Sequence, residues 1–213
     1  MRPLLVTVSA LALGLAASAQ SPAPSATDLA RRIQAHYDKV ADFTADFTVS
    51  YRYEVQQQTS VERGDVKVKK PNRMRWNYTA PDRKEFVADG STLYIHFPQD
   101  KSLRMTPLPK AGDAPVALLF LAGKGDLMRD FVPSMPADQP PGEWRLTLTP
   151  KARQDDYTSL TLGVQRDSLA LTGLVMVDEM GTQTFRFTRF QANRGLQDSA
   201  FLFKIPKGTE IIK

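Results

Sequence analysis

The 213-residue chain contains no cysteine and only two histidines, His36 and His96. Because no disulfide can form, an exported product of this sequence must rely on burial of a hydrophobic core for its stability. The absence of cysteine also excludes an N-terminal lipid-modified cysteine in this chain. Beyond the N-terminus, no apolar run reaches the roughly 20 residues that a membrane-spanning helix needs. The sequence therefore predicts no later membrane span.

The sequence also lacks the motifs that usually carry enzyme chemistry. It contains no H-E-x-x-H metal motif, no serine in a nucleophile elbow and no glycine-rich loop of the kind that binds phosphate. His36 lies on or beside the apolar stripe of a predicted helix, and His96 lies in a strand between Ile95 and Phe97. We therefore predict no catalytic residue, no metal site and no cofactor, and we do not expect an enzyme.

The N-terminal residues are typical of an exported protein. An arginine supplies an early positive charge, residues 4–15 are mostly apolar, and residues 17–19 read A-S-A, a small-x-small cleavage pattern. We interpret residues 1–19 as a cleaved signal peptide. Residues 20–26 are rich in serine, proline and alanine, and we expect them to form a flexible tether.

The chain is mildly basic, with a formal net charge of +5. A cluster of cations lies in one short stretch, at Lys67, Lys69, Lys70, Arg73 and Arg75. The cluster has two interpretations: attraction to an anionic lipid surface, or a solvated strand face whose charges block edge pairing. We favour the solvated face. We do not expect nucleic acid binding, because no binding motif accompanies the cations.

Alternation of apolar and charged residues marks the stretch from Gly64 to Met105. One parity is apolar and rich in aromatic residues, whereas the other is cationic. A period of two residues is typical of strands with one buried and one solvated face. The apolar parity comprises Val66, Val68, Met74, Trp76 and Tyr78. No catalytic group is evident on it, so we expect this face either to fill a core or to hold an apolar molecule.

The rest of the chain predicts a mainly β protein with short helices. An amphipathic helix is expected from a cap at Ser25 or Thr27 to about residue 41. Apolar, Ala/Leu-rich residues 115–122 and residues 126–131 are predicted to be two further helices. About ten or eleven strands remain, at residues 43–55, 61–69, 73–78, 86–88, 93–97, 102–105, 144–148, 160–164, 171–178, 182–192 and 201–205. A slip of parity before Phe190 predicts a bulge.

Several short motifs, taken in order, resemble those of the periplasmic outer-membrane lipoprotein carrier (LolA) family. They are F-T-A-D-F-T at 43–48, K-K-P-N-R-M-R-W at 69–76, D-G-S-T-L-Y at 89–94, P-V-A-L-L at 115–119, L-T-L-T-P at 146–150 and F-L-F-K-I-P-K-G at 201–208. Each motif alone is weak, but their order and spacing are fairly specific. The resemblance spans nearly all of residues 27–213, which we interpret as a single carrier-like domain.

The resemblance implies an unclosed, strongly curved antiparallel β-barrel with a helical lid over a hydrophobic cavity. It implies a monomeric periplasmic chaperone that binds the acyl chains of lipoproteins and shuttles them from the inner to the outer membrane. The implied partners are acylated lipoproteins, an inner-membrane lipoprotein-releasing ABC transporter and an outer-membrane lipoprotein receptor.

The resemblance also assigns roles to individual residues. The predicted lipid-binding cavity comprises Phe47, Val49, Tyr51, Met74, Trp76, Tyr78 and Tyr94. The predicted lid comprises Leu118, Leu119 and Phe120. In the family an arginine before the proline of this motif tethers the lid through hydrogen bonds, and Lys70 occupies that position here. Arg75 is the alternative tether, together with its neighbour Arg73.

Two other functions remain open at this point. One is a periplasmic lipid- or glycolipid-binding protein of the same fold, whose cargo is not a lipoprotein. The other is an enzyme of envelope-lipid metabolism, which would need a clustered polar pair inside the cavity. Alternation also cannot separate a hollow cavity from a filled core, because an ordinary filled sandwich shows the same pattern.

Overall fold

The computed structural model of the protein describes residues 23–55, 58–108, 125–154 and 157–212. The predicted signal peptide, the start of the predicted tether and the predicted helix at 115–122 lie outside these residues. The first helix, α1 (Ala26–Asp38), begins at its N-cap Ser25, whose side chain accepts a hydrogen bond from the backbone N–H of Asp28. The predicted helix and its cap are confirmed.

One face of α1 is apolar and packs against the sheet. Leu29, Ala30 and Ile33 are fully buried, and Tyr37 is 2% exposed. This is the stripe expected from residues spaced three and four apart. The face of the sheet toward α1 is called the inner face below, and the opposite face is called the outer face.

Twelve strands form one mixed sheet in the order β12-β6-β5-β4-β3-β2-β1-β11-β10-β9-β8-β7. Neighbours are antiparallel except β12 and β6, which are parallel. The end strands β12 and β7 do not pair with each other in the described ranges, so the sheet is unclosed. The strands are β1 (Asp42–Tyr53), β2 (Thr59–Lys69), β3 (Arg73–Ala80), β4 (Lys84–Asp89), β5 (Thr92–Phe97), β6 (Ser102–Pro107), β7 (Phe131–Ser134), β8 (Glu143–Pro150), β9 (Ser159–Gln165), β10 (Leu171–Val177), β11 (Gly181–Ala192) and β12 (Glu210–Ile212).

The mainly β, unclosed fold predicted from the sequence is therefore confirmed, and the described residues form twelve strands rather than ten or eleven. Strand β1 joins the two halves of the sheet, because it pairs with β2 on one side and β11 on the other. The predicted bulge is confirmed as well: the register of β1 with β11 shifts between Thr44 and Asp46, opposite Arg189 and Phe190. Arg189 has a positive φ of 51°.

A glycine is required on β2 at Gly64, where the backbone of β3 and the ring of Phe47 leave no room for a side chain. A Cβ atom on Gly64 would lie 2.0 Å from the carbonyl oxygen of Asn77 and 2.8 Å from Cζ of Phe47. The register of β2 with β3 shifts at this point, between Arg63 and Gly64. Only a residue without a side chain allows this approach, which brings the Phe47 ring over β2.

Two predictions about the C-terminal half were wrong. Residues 201–205 do not form a strand: a 3-10 helix covers Asp198–Phe201, and the last strand is β12 further along. Residues 131–134, for which no strand was predicted and of which Phe131 was assigned to the helix at 126–131, form edge strand β7. An edge strand accepts Pro133 because one side of its backbone needs no ladder partner.

The second described helix, α2 (Leu127–Asp130), is confirmed within the predicted range. Its N-cap Asp126 accepts hydrogen bonds from the backbone N–H groups of Met128 and Arg129 at 2.9 and 2.8 Å. The side-chain carbonyl of Gln34 on α1 accepts from the N–H of Leu127 at 3.0 Å. No helix in the described part of the chain is long and apolar enough to cross a membrane.

Candidate functional site

Six aromatic side chains meet on the inner face and form what we call the aromatic cluster: Phe47, Trp76, Tyr78, Phe86, Phe185 and Phe187. The ring centroid of Phe47 lies 5.1 Å from that of Trp76 and 4.8 Å from that of Tyr78, both edge to face. Trp76 in turn lies 5.6 Å from Phe185. The cluster spans β1, β3, β4 and β11, so it crosses the middle of the sheet.

Six of the seven predicted cavity residues lie on this inner face. Phe47, Val49, Met74, Trp76 and Tyr78 are all less than 10% exposed. Tyr51 shares their parity on β1 and is half-buried near the end of the strand. Its hydroxyl lies 3.4 Å from both carboxylate oxygens of Asp178. The structure thus brings these six residues together, as the alternation predicted.

The prediction that Tyr94 lies with the other cavity residues was wrong. Tyr94 pairs with Val87, which pairs with Arg75, and Arg75 has the parity opposite to Trp76. The Tyr94 side chain therefore lies on the outer face. There its ring stacks on Phe203 at 5.1 Å and its hydroxyl donates to Asp89 at 3.1 Å.

The predicted site missed Phe86 and the two phenylalanines of β11. Phe187 lies opposite Phe47, and Phe185 lies opposite Val49. Their rings are parallel within 7°, at a centroid distance of 6.1 Å. The alternation of residues 182–187 was visible in the sequence, but nothing local shows that β11 pairs with β1.

An ion pair lies at one end of the aromatic cluster. Lys84 Nζ is 2.7 and 2.8 Å from the two carboxylate oxygens of Glu62. The same ammonium lies 4.4 Å from the ring centroid of Tyr78. Burial raises the pKa of the Tyr78 hydroxyl, and the nearby Glu62 carboxylate raises it further.

Of the two predicted tether residues, Lys70 is the one that meets α1. Its ammonium donates a hydrogen bond to the carbonyl of Tyr37, in the last turn of the helix. Partial burial lowers the pKa of Lys70, and the charge of Asp38 opposes that shift. Arg75 lies on the outer face instead, where it pairs with Glu85 and donates to the carbonyl of Leu202 at 2.8 Å. The predicted lid residues Leu118, Leu119 and Phe120 lie outside the described residues.

Residues 193–206, which we call the strap, run across the outer face after β11. Their start is held by Asp42, a carboxylate that is only 5% exposed. It accepts hydrogen bonds from the backbone N–H groups of Arg194, Gly195 and Leu196 at 2.7, 3.0 and 3.1 Å. Asn193, at φ 55°, accepts from the N–H of Ala41 at 2.8 Å. The Asp42 carboxylate thus accepts hydrogen bonds from backbone N–H groups of a turn that lies outside the strand ladder.

The cations of the basic cluster hold the strap further along. Lys69 donates to the carbonyl of Leu196 at 2.7 Å and to Asp198 at 2.6 Å. Arg73 lies 3.5 Å from the same Asp198 carboxylate. The interpretation of this cluster as a solvated strand face is therefore corrected: Lys69, Arg73 and Arg75 contact the strap.

The strap covers a second apolar cluster on the outer face. Val87, Leu103 and Phe201 are fully buried there. His96, 8% exposed, lies edge to face with Phe203 at 5.4 Å. His96 is thus packed among apolar side chains. His36 lies beside Tyr37 on α1. Burial lowers the pKa of His36, and the charge of Lys39 lowers it further.

The chain is similar to proteins of one known family over most of its length. The profile of the family described as outer membrane lipoprotein carrier protein LolA matches residues 38–204. The outer-membrane lipoprotein carrier protein of Chromohalobacter salexigens is 29% identical over 205 residues, 96% of each chain. The protein of the same name from Ralstonia nicotianae is 34% identical over 155 residues, which cover 70% of this chain and 68% of that one.

A solved structure supports the same architecture. An uncharacterized conserved protein from Thermus thermophilus superposes with a TM-score of 0.55, covering 86% of this chain and 98% of the other. The two sequences are 13% identical, so this likeness concerns the fold alone.

Proposed function

The chain belongs to the outer membrane lipoprotein carrier protein LolA family, as its motifs predicted, and from this premise we propose that it carries acylated lipoproteins on the inner face of its sheet. The single observation that supports the site is the aromatic cluster. It places six rings side by side on one face of a sheet that does not close. Such a surface fits hydrocarbon chains and offers no reactive group to them.

The energetics of acyl binding suit a carrier that takes up cargo and releases it. Burial of an acyl chain contributes about 0.8 kcal/mol per CH₂, so a long chain contributes on the order of 10 kcal/mol. Side chains that fill the inner face in the absence of cargo must be displaced, which offsets part of that gain. The net affinity then becomes low enough for release to a downstream partner.

We assign the displaced element to the predicted lid at Leu118, Leu119 and Phe120. Lys70 is assigned as the tether that holds the helical side of the site closed. Its hydrogen bond to the Tyr37 carbonyl joins the turn between β2 and β3 to the end of α1. A cation at a helix C-terminus is favourable both as a donor and through the helix dipole.

The carrier is proposed to act in the periplasm as a monomer, after removal of residues 1–19. Its proposed partners are an inner-membrane lipoprotein-releasing ABC transporter, which loads it, and an outer-membrane lipoprotein receptor, which unloads it. It needs no cofactor and catalyses no reaction in this scheme, because transfer only moves acyl chains between apolar sites.

Binding of a fluorescent fatty-acid analogue, and its displacement by a diacyl lipopeptide, tests the proposal. A peptide of the same sequence without acyl chains should not compete. Phe185→Ala should weaken binding, whereas Thr184→Ala, the adjacent outer-face position, should not. If no apolar probe binds at micromolar concentrations, the inner face is a filled core and the proposal fails.

Cargo identity requires a second experiment. Lipoproteins should leave the inner membrane of spheroplasts when the purified protein is added, and mass spectrometry should find them bound to it. Recovery of membrane lipids without lipoproteins would instead identify a lipid-binding protein of the same fold.

A further inference from the structure

The inner face is apolar along most of its length but ends in an ion pair. On β1 the inner positions run from Phe43 to Val49, about 20 Å at the usual rise per residue. Opposite Val49 the neighbouring strand presents Glu62, and opposite Tyr78 the next strand presents Lys84. Because directly opposed residues share a face, both charged side chains point to the inner side of the sheet.

The Lys84 ammonium lies beside two aromatic rings, and both charged side chains are only partly exposed to solvent. The side chain of Lys84 is 21% exposed and that of Glu62 is 27% exposed. The Lys84 ammonium lies 4.4 Å from the Tyr78 centroid and 5.9 Å from the Phe86 centroid. An ion pair that gives up this much hydration contributes little net stability, so its position calls for another reason.

We propose that the Glu62–Lys84 pair is a subsite for the uncharged ester or amide carbonyls at the head of bound acyl chains. This inference rests on the proposed function, since it assumes that the acyl chains lie along the aromatic cluster. The chains then extend toward the Val68, Met74 and Ala88 end of the face, and their carbonyl oxygens stop at Lys84. The same pair disfavours lipids whose head is an anion.

The donor count supports a carbonyl as the ligand. A lysine ammonium has three N–H donors. Two of them are directed to the Glu62 oxygens, at 2.7 and 2.8 Å. One donor remains for a carbonyl oxygen that arrives along the apolar face.

The charge balance supports discrimination against anions. Glu62 neutralises Lys84, so the pair as a whole carries no net charge. A carboxylate or phosphate head that approached Lys84 would also approach the Glu62 carboxylate, and the like charges would repel. A neutral carbonyl dipole avoids this repulsion while keeping the hydrogen bond.

The experiment measures the dissociation constants of three ligands for the full-length mature protein. The ligands are an uncharged diacylglyceryl lipopeptide, the fatty acid palmitate, and the uncharged probe N-phenylnaphthylamine, which lacks a carbonyl. The variants are Lys84→Met, Glu62→Gln and the control Lys67→Met, which removes a lysine from the outer face of β2. Circular dichroism and thermal melting verify that each variant is folded.

The Lys84→Met variant loses one charged hydrogen bond, so it should bind the lipopeptide about tenfold more weakly than the wild type does. Glu62→Gln should leave the lysine uncompensated and tighten palmitate binding by about tenfold, with little change for the lipopeptide. Binding of N-phenylnaphthylamine should change less than about twofold in both variants. Lys67→Met should match the wild type for all three ligands.

The outcomes separate this inference from the function on which it rests. If the wild type binds none of the three ligands, the proposed function itself fails. If the wild type binds all three and both variants keep its ratio of lipopeptide to palmitate affinity, the function stands and the subsite is refuted. If Lys84→Met weakens the binding of all three ligands equally, the pair supports the shape of the binding face and does not recognise the acyl head. This outcome also overturns the inference.

Discussion

The inner and outer faces of strands β3–β5 are both buried, but by different means. Trp76 on the inner face packs among aromatic rings contributed by β1 and β11. Its neighbour Arg75 points outward, where it pairs with Glu85 and binds the carbonyl of Leu202 in the strap. One face is covered through nonpolar contact, and the other is covered through charged groups that hold a backbone segment.

This difference has a consequence for how each face can change. Apolar contacts are non-directional, so a hydrocarbon chain can replace a side chain on the inner face at little cost. Hydrogen bonds to a carboxylate need defined geometry, so the outer face keeps the strap in one position. We therefore propose that the cover of the inner face can be exchanged, whereas the strap on the outer face stays in place.

The largest test of this comparison removes an inner ring. Phe47→Ala should lower the free energy of unfolding by about 3–5 kcal/mol, because it empties space between Trp76 and Tyr78. Urea denaturation measures the change, and probe binding should weaken in parallel. A loss below about 1 kcal/mol would mean that the ring has little packing to lose, contrary to its 2% exposure.

The next test releases the outer cover. Asp42→Ala removes the acceptor of three backbone N–H groups in residues 194–196 and should cost about 2 kcal/mol. Hydrogen exchange of those three amides should become faster, while the affinity for the fatty-acid probe stays unchanged. Thr44→Ala, on the same strand and the same outer side, is the matched control. Weaker probe binding by Asp42→Ala would show that the two faces are not independent.

A smaller effect is expected where the sheet meets the end of α1. Lys70→Leu should leave the fold intact, cost about 1 kcal/mol in unfolding free energy, and alter the release of lipoproteins from spheroplasts. Lys70→Arg should be tolerated, because it restores a donor at the family's usual residue. Arg75→Leu should affect the strap rather than cargo transfer. If Arg75→Leu blocks transfer while Lys70→Leu behaves as the wild type, the tether is Arg75.

The smallest effect concerns acid stability of the outer face. Burial raises the pKa of Asp89, but hydrogen bonds from Thr92, Ser91 and Tyr94 outweigh it and hold the pKa below the usual value of 3.8. A lowered carboxyl pKa contributes stability above the unfolded pKa, and that contribution is lost as pH falls through the folded pKa. The Asp89→Asn variant should therefore lose less stability than the wild type as the pH falls below about 4. Thermal melting measured at a series of pH values tests this. An unchanged acid profile would contradict this assignment.

Local patterns in the sequence were sufficient for much of the fold. The apolar stripe of α1, the alternation of β1–β3 and the parity slip before Phe190 each depend on residues a few positions apart. The same is true of most inner-face residues of the predicted site. These features follow from helix and strand geometry, which repeats along the chain and therefore appears in the sequence.

Other features depend on which strands meet, and no local pattern records that. Tyr94 lies on a strand with clear alternation, but two turns separate it from Trp76, and their geometry decides which parity faces inward. Residues 201–205 alternate like a strand, yet they pack across the outer face. The turn that leads into them, at residues 194–196, is held by Asp42, which lies about 150 residues earlier in the sequence.

By itself the sequence determined most of the elements, the family and the apolar character of one strand face. The tertiary structure decided that β11 brings two phenylalanines to Phe47, that Lys70 rather than Arg75 meets the end of α1, and that Glu62 joins Lys84 beside Tyr78. The physical reason is range: hydrophobic period and turn chemistry act over a few residues, whereas pairing across the sheet joins residues whose separation along the chain leaves no periodic trace.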